Sequence, residues 1–172
     1  MSWVDQVKEA LPDYAKDTRL NLDAVIKRSS ISEEIANACA LSAAMATGNG
    51  KLVSFISSSF TEDQFVLRDA ALTASAIMAA NNVWYPYVEM ADDEQLKGLP
   101  AQLRMNAILH SGGTTKANFE AFSLAASIVG KCHFCVKAHY DTLKQEGYTV
   151  EQLRDIGRIA AVMNSVAKVL NS

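Results

Sequence analysis

Two thiols and an imidazole fall close together in this chain: Cys132, Cys135 and His139, in the run Gly-Lys-Cys-His-Phe-Cys-Val-Lys-Ala-His from Gly130 to His139. The spacing is C-x-x-C-x-x-x-H. If Cys132 opens a helix, Cys135 sits one turn on. His139 then comes four residues later on the same face, where side chains are neighbours. A thiol in the first turn of a helix and beside an imidazole has its thiolate favoured by the free N–H groups, the helix dipole and the proton acceptor. A second thiol within disulfide reach gives an oxidised sulfur a partner to condense with. Thiolate attack, disulfide formation and disulfide exchange are the chemistry these residues can do.

Glu120 is the residue that would complete a relay. It lies on an otherwise apolar helix face between Phe119 and Phe122. Suppose the helices flanking Gly130 form an antiparallel hairpin. Glu120 is then about 15 Å before the turn and His139 about 13.5 Å after it, at 1.5 Å per residue. A carboxylate meeting His139 would fix its tautomer and support it as a base, giving a chain Glu120–His139–Cys135. The other reading has Glu120 facing solvent.

The cysteine pair has rival readings too. Structural zinc commonly takes four ligands from two spaced pairs. Cys132, Cys135 and His139 supply three, and Glu120 would have to be the fourth; no metal is the expectation. A buried inert pair fits poorly with the polar neighbours Lys131, His133 and Lys137. A thioredoxin-type site would need βαβ units around the pair. On a helix His133 points away from Cys135, and Lys131 and Lys137 read as solvated surface. A resolving cysteine at the very start of a helix is expected to be the more exposed of the two, which favours Cys132 for that role. The reverse, with Cys132 as nucleophile, stays open. Cys39, between Ala38 and Ala40, reads as a small core residue. His110, before Ser-Gly-Gly, reads as a C-terminal helix cap.

The elements that must hold these groups read as helices throughout. Expected helices span about 3–11, 17–28 and 33–47, the last capped by Ser32 and stopped by Gly48-Asn49-Gly50. Thr61-Glu-Asp-Gln64 is a capping-box pattern for a helix over about 62–80, broken at Asn81-Asn82, with Pro86 limiting the segment beyond the break. Leu99-Pro100 is expected to start another, ending near Ser111-Gly112-Gly113. Helices over 115–129, 132–146 and 150–169 complete the chain, with Gly147 as a left-handed stop and Thr149-Val-Glu-Gln152 as a second capping box. No alternating strand pattern occurs, so the chain is all-α. Arg68–Tyr85 and Asn118–Cys135 also align at an offset of fifty. This hints at a duplicated helical-hairpin unit, with Asn82 in the place of Cys132 and Tyr85 in that of Cys135.

The whole chain is compatible with one domain over 1–172, the N-terminal half as scaffold and 115–147 carrying the site. Its 172 residues, 49% hydrophobic and 20% charged, suffice for a core. A net charge of −3 without a basic block argues against nucleic acid. No apolar run reaches a membrane span, and Met-Ser-Trp-Val-Asp-Gln lacks the layout of a signal peptide. A cytoplasmic location is the expectation, where a close Cys pair is more often catalytic or metal-binding than a staple.

Glu120, then eleven residues, then Cys132-x-x-Cys135-x-x-x-His139 resembles the signature of the AhpD alkyl hydroperoxidases, within the carboxymuconolactone decarboxylase-like superfamily. The resemblance extends through Arg104-Met-Asn106, Asn118-Phe-Glu120, Ala138-His139 and Thr142-Leu143. It implies an all-helical homo-oligomer, often a trimer, that works as an antioxidant thiol peroxidase with no tightly bound cofactor. Cys135 resembles the peroxidatic cysteine that becomes a sulfenic acid, Cys132 the resolving cysteine and proton donor, and Glu120 and His139 the proton relay. The resemblance implies that a lipoylated or similar dithiol protein reduces the Cys132–Cys135 disulfide, and that a peroxiredoxin can be a partner. One departure stands out: where such proteins often carry histidine before the second cysteine, this chain has Phe134, and His133 lies about 100° away around the helix. A carboxymuconolactone-decarboxylase-like enzyme, which needs no redox pair, and a C-x-x-C disulfide reductase or redox sensor are the alternatives.

Overall fold

The computed structural model describes residues 1–172. Nine α-helices form it, with no strand: α1 (Trp3–Ala10), α2 (Lys16–Lys27), α3 (Glu33–Thr47), α4 (Gly50–Ser57), α5 (Phe65–Ala91), α6 (Glu94–Lys97), α7 (Lys116–Gly130), α8 (His133–Gln145) and α9 (Val150–Leu170). The all-α expectation holds. Where the sequence carries a cap, a helix starts: the Ser32, Thr115 and Thr149 hydroxyls each accept the backbone N–H three residues on. At Thr149 the Gln152 side chain also accepts the Thr149 N–H at 2.9 Å, closing a capping box.

Helices α3, α5, α7 and α9 make the centre, and α8 lies along α7. α3 is buried almost all round, from Ala36 through Ala44, as expected of a helix apolar on every side. Its alanines, with Ala121, Ala125 and Ala126 of α7, let the helix axes approach closely. The Ser42 hydroxyl donates to the Phe122 carbonyl at 2.8 Å and pins α3 to α7. One continuous cluster of buried apolar side chains runs from Trp3 to Ala167. Phe122, Leu41, Ile156, Ile159 and Met163 are fully buried in it, each contributing about 1.5–3 kcal/mol through burial.

Two expectations fail and one helix goes unforeseen. Asn81-Asn82 does not break α5, which continues through Pro86 to Ala91. Asn81 is buried and the Asn82 side-chain amide donates to the Ala126 carbonyl at 3.3 Å, so packing on α7 holds both residues helical. Nor does an α-helix run from Leu99 to Ser111. Gly98 closes the short α6, and an irregular stretch leads to a 3-10 segment at Asn106–Gly113. Pro100 has no N–H to donate, and Gln102, Ser111 and Gly112 take positive φ. Finally, Gly48-Asn49-Gly50 does more than stop α3. The Asn49 side chain accepts the Leu52 N–H at 2.8 Å and starts α4, a helix that none of the expected spans covers.

Asp155 of α9 is a buried anchor. Its carboxylate accepts the Ser30 N–H and hydroxyl, both at 2.8 Å, and is bridged by Arg154 and Arg158 at 3.0 Å. Burial alone would raise its pKa, but the Ser30 donors and the two guanidinium groups outweigh that and hold it well below the usual carboxylate range. A carboxyl depressed on folding stabilises above its unfolded pKa of about 3.9 and loses that contribution as pH falls below it. Asp155→Asn is therefore expected to lose about 2 kcal/mol at pH 7. The deficit against wild type should shrink below pH 4 in urea melts; a midpoint unchanged at pH 7 would contradict the assignment.

Candidate active site

The site is built where α7 turns into α8. α7 ends at Gly130, and Lys131 takes a left-handed conformation, φ 56°. Cys132 is extended and caps α8: its Sγ accepts the Cys135 N–H at 3.2 Å. Cys132 and Cys135 are joined as a disulfide, with Cα atoms 5.3 Å apart. Both sulfurs thus lie at the positive end of the α8 dipole.

The hairpin brings Glu120 and His139 together. Glu120 Oε2 and His139 Nδ1 are 2.6 Å apart, with both side chains only 15% exposed. A carboxylate has no hydrogen to offer, so Nδ1 carries the proton and donates it. The solvent-facing reading of Glu120 does not hold. The other ring nitrogen is where the structure departs from expectation. His139 hydrogen-bonds neither sulfur; its Nε2 faces Met78 Sδ of α5 at 3.2 Å. A thioether accepts only weakly and never donates. In the disulfide form the imidazole therefore sits near the sulfurs in sequence but is turned onto α5.

The sulfurs themselves are enclosed. Cys132 is 0% exposed and Cys135 3%, so the expectation that Cys132 is the more exposed fails. The reason is the left-handed turn at Lys131, which tucks the cap residue under the end of α7, where the Cys132 N–H reaches the Ser127 carbonyl at 3.3 Å. Cys135 Sγ faces outward from α8 onto the Asn81 carbonyl of α5, 3.7 Å away.

The remaining candidates fall away from the centre. Phe134 is exposed and stacks on Tyr85, ring centroids 4.5 Å apart. His133 is exposed. Lys131 is exposed, and Lys137 pairs with Asp141 at 2.6 Å on the surface. Cys39 is a free thiol inside the core, where burial pushes its pKa far up and leaves it unreactive. His110 is exposed and lies in the last turn of the 3-10 segment. A zinc site would need Glu120 and both sulfurs on one ion, whereas Glu120 is engaged on His139 and the sulfurs are bonded to each other.

Comparison with known proteins bears on this arrangement. The sequence model of the Carboxymuconolactone decarboxylase family matches residues 94–172. The protein named alkyl hydroperoxide reductase AhpD in Maricaulis maris is 39% identical, covering 97% of this chain and 96% of its own length. Its namesakes from Coxiella burnetii, 39% identical over 94% of this chain, and from a Bradyrhizobium species, 36% identical over 98%, align as fully. The chain belongs to the AhpD family. The stretch matched by the family model begins at α6 and contains Glu120, both cysteines and His139, but leaves out α5. Yet α5 supplies one wall of this AhpD-type site. Met78, Asn81, Asn82 and Tyr85 all touch the α7–α8 hairpin, and none of the four reads as a site residue from sequence. The offset-fifty alignment does single out Asn82 and Tyr85, as counterparts of Cys132 and Cys135. In the fold they pack against that segment: Asn82 lies against Gly130 and Tyr85 on Phe134. α5 also continues as helix where α7 ends, so the two stretches diverge at the point that makes the site.

Gly130 is the contact that lets α5 come this close. A Cβ there would sit 2.1 Å from Asn82 Nδ2 and 2.8 Å from Asn82 Cβ. The clash reaches the root of the side chain, so rotation alone cannot relieve it. Gly130→Ala is expected to cost about 1–3 kcal/mol and to loosen the wall over Cys135. Calorimetry would read the first effect, and faster reduction of the disulfide by dithiothreitol the second; wild-type values for both would show that the helices have room.

Proposed function

We propose that this protein is a thiol peroxidase that reduces organic hydroperoxides to alcohols through the Cys132–Cys135 pair. What carries the reading is a disulfide at the N-terminus of α8 near a half-buried carboxylate–imidazole pair, in a chain whose relatives are named alkyl hydroperoxide reductases. In the reduced form the Cys135 thiolate attacks the terminal oxygen of the hydroperoxide. The S–O bond forms, the O–O bond breaks, and the alkoxide leaves and takes a proton. The Cys132 thiolate then attacks the sulfenic sulfur, expelling hydroxide, which leaves as water. Glu120 and His139 hold and return the protons. For His139 to serve Cys135, its Nε2 must turn from Met78 once the disulfide opens, which costs only a weak thioether contact. Cys135, the less enclosed sulfur and the one behind Phe134, is the peroxidatic candidate.

One observation favours the reverse order. Cys132 Sγ accepts the Cys135 backbone N–H, whereas Cys135 Sγ faces a carbonyl oxygen. An N–H stabilises a thiolate and a carbonyl stabilises the thiol, so Cys132 as first nucleophile is the second reading. A carboxymuconolactone-type decarboxylase finds less support. It needs no redox pair, so the Cys132–Cys135 disulfide counts against it.

The cycle needs an external dithiol to reopen the disulfide, and a lipoylated protein fits that role, with a peroxiredoxin as a further partner. No helix is long and apolar enough to cross a membrane; a reducing cytoplasm suits a pair that must return to dithiol. The chain is read as one domain, α1–α4 as scaffold, assembling into homo-oligomers such as trimers. Val83, Tyr87 and Met90 form an exposed apolar stripe on α5 that suits such contacts. The decisive assay supplies tert-butyl hydroperoxide with either a reduced lipoyl domain or thioredoxin. Hydroperoxide consumption driven by the lipoyl domain is the expected result, and none with either reductant would end the proposal.

A further inference from the structure

Beside the first turn of α8 lies an apolar cavity of about 680 Å³. Trp84, Tyr85 and Val88 of α5 line it, with Leu96, Leu99 and Phe134. That volume is within the range of a small-molecule pocket. Its position ties it to the sulfurs. Phe134 lies inside the C-x-x-C motif, and its ring stacks on Tyr85 at 4.5 Å to close the inner wall. Tyr85 is one helical turn beyond Asn81, whose carbonyl meets Cys135 Sγ at 3.7 Å. The stacked pair is thus one residue from Cys135 along α8 and one turn from Asn81 along α5.

The rim chemistry narrows the occupant. Lys97 is held by Asp92 and Glu94, both at 2.7 Å, and Lys137 by Asp141 at 2.6 Å. Glu89, also at the rim, has no cationic partner. Neither lysine is left free to receive a carboxylate, and Glu89 repels one; His133, also at the rim, offers only a ring N–H. The cavity suits a neutral apolar group, and aromatic walls suit an aromatic one. It adjoins the outward stripe Val83, Tyr87 and Met90: Tyr87 lies about 60° around α5 from Trp84, with their ring centroids 5.7 Å apart.

We propose that this cavity binds the organic group of a neutral, bulky hydroperoxide of the aryl-alkyl kind, and that Phe134 and Tyr85 set this preference at the wall facing Cys135. The inference rests on the peroxidase reading above. The O–O group reaches the sulfur past the stacked rings, and the alcohol product stays in the cavity until it dissociates.

Two measurements test it, one of which needs no turnover. Titrating 2-phenyl-2-propanol, the alcohol from cumene hydroperoxide, into the disulfide form is expected to change Trp84 emission saturably. Trp3, the other indole, is 3% exposed and donates to Asn37 at 2.9 Å, so it stays a constant background. Trp84→Phe removes the change, and Leu99→Ala weakens binding about tenfold. In turnover, the ratio of kcat/KM for cumene hydroperoxide over hydrogen peroxide falls about tenfold in Leu99→Ala. No saturable emission change, or an equal fall for both peroxides, overturns the pocket. An equal fall accompanied by a smaller sedimentation coefficient would assign this face to contacts between copies and overturn it as well. Alcohol binding without turnover of any peroxide would sink the peroxidase reading while supporting the pocket.

Discussion

Replacing Cys135 with serine is expected to abolish hydroperoxide turnover, by about a thousandfold or more. The loss comes from chemistry: a serine hydroxyl at neutral pH is neither ionised nor able to form a sulfenic acid. The partner substitution separates the roles. Cys132→Ser should release one equivalent of alcohol per chain and stop at a sulfenic acid on Cys135, because nothing remains to condense with it. Mass spectrometry after dimedone trapping reads that adduct directly. The N-cap geometry supplies the competing outcome. If Cys132 is the first nucleophile, the single turnover and the adduct appear in Cys135→Ser instead. Full activity in either variant would remove the thiol cycle altogether. Both side chains are small and both variants lack the disulfide, so reduced wild type is the proper stability control.

The second large effect is expected at Glu120. Glu120→Gln keeps the volume and can still accept the Nδ1 proton, but it removes the negative charge that supports a protonated imidazole. A fall of about a hundredfold in kcat/KM for hydroperoxide is expected, the lower end of what a positioned proton-transfer group contributes. The sharper reading comes from a cycle. If Glu120 and His139 act as one unit, Glu120→Gln combined with His139→Gln should be about as slow as the worse single variant. Two losses that multiply would show that the pair, 2.6 Å apart, does not work as a relay. Retained rate in Glu120→Gln would reduce the contact to a structural one.

Particular residues show why the site is legible in part. Glu120 and His139 can be placed at one height from residue counts, because the turn position fixes height in a helical hairpin, while which faces meet is left open. Gly130 marks that turn, and helix rise is constant. The caps at Ser32 and Thr149 are equally readable, since a hydroxyl bonded to a backbone N–H three residues on is a local event. Asn81-Asn82 misleads for the opposite reason. Their preference for ending helices is local and small, and burial against α7 overrides it. The segment after Leu99 misleads because apolar spacing there suggests a helix that positive φ at Gln102 and Ser111 rules out.

What the amino-acid order determined by itself, then, is the all-helical class, the equal height of Glu120 and His139 across a hairpin at Gly130, and the two cysteines at the head of one helix. These depend on separations along the chain, which are short enough for geometry to be nearly rigid. What only the tertiary structure decided is what faces that hairpin. Met78 on His139, the Asn81 carbonyl on Cys135, Asn82 against Gly130 and Tyr85 on Phe134 all come from α5. Their positions depend on how two helices about fifty residues apart cross, and that is settled by the fit of side chains across the whole core, a property that no local spacing carries.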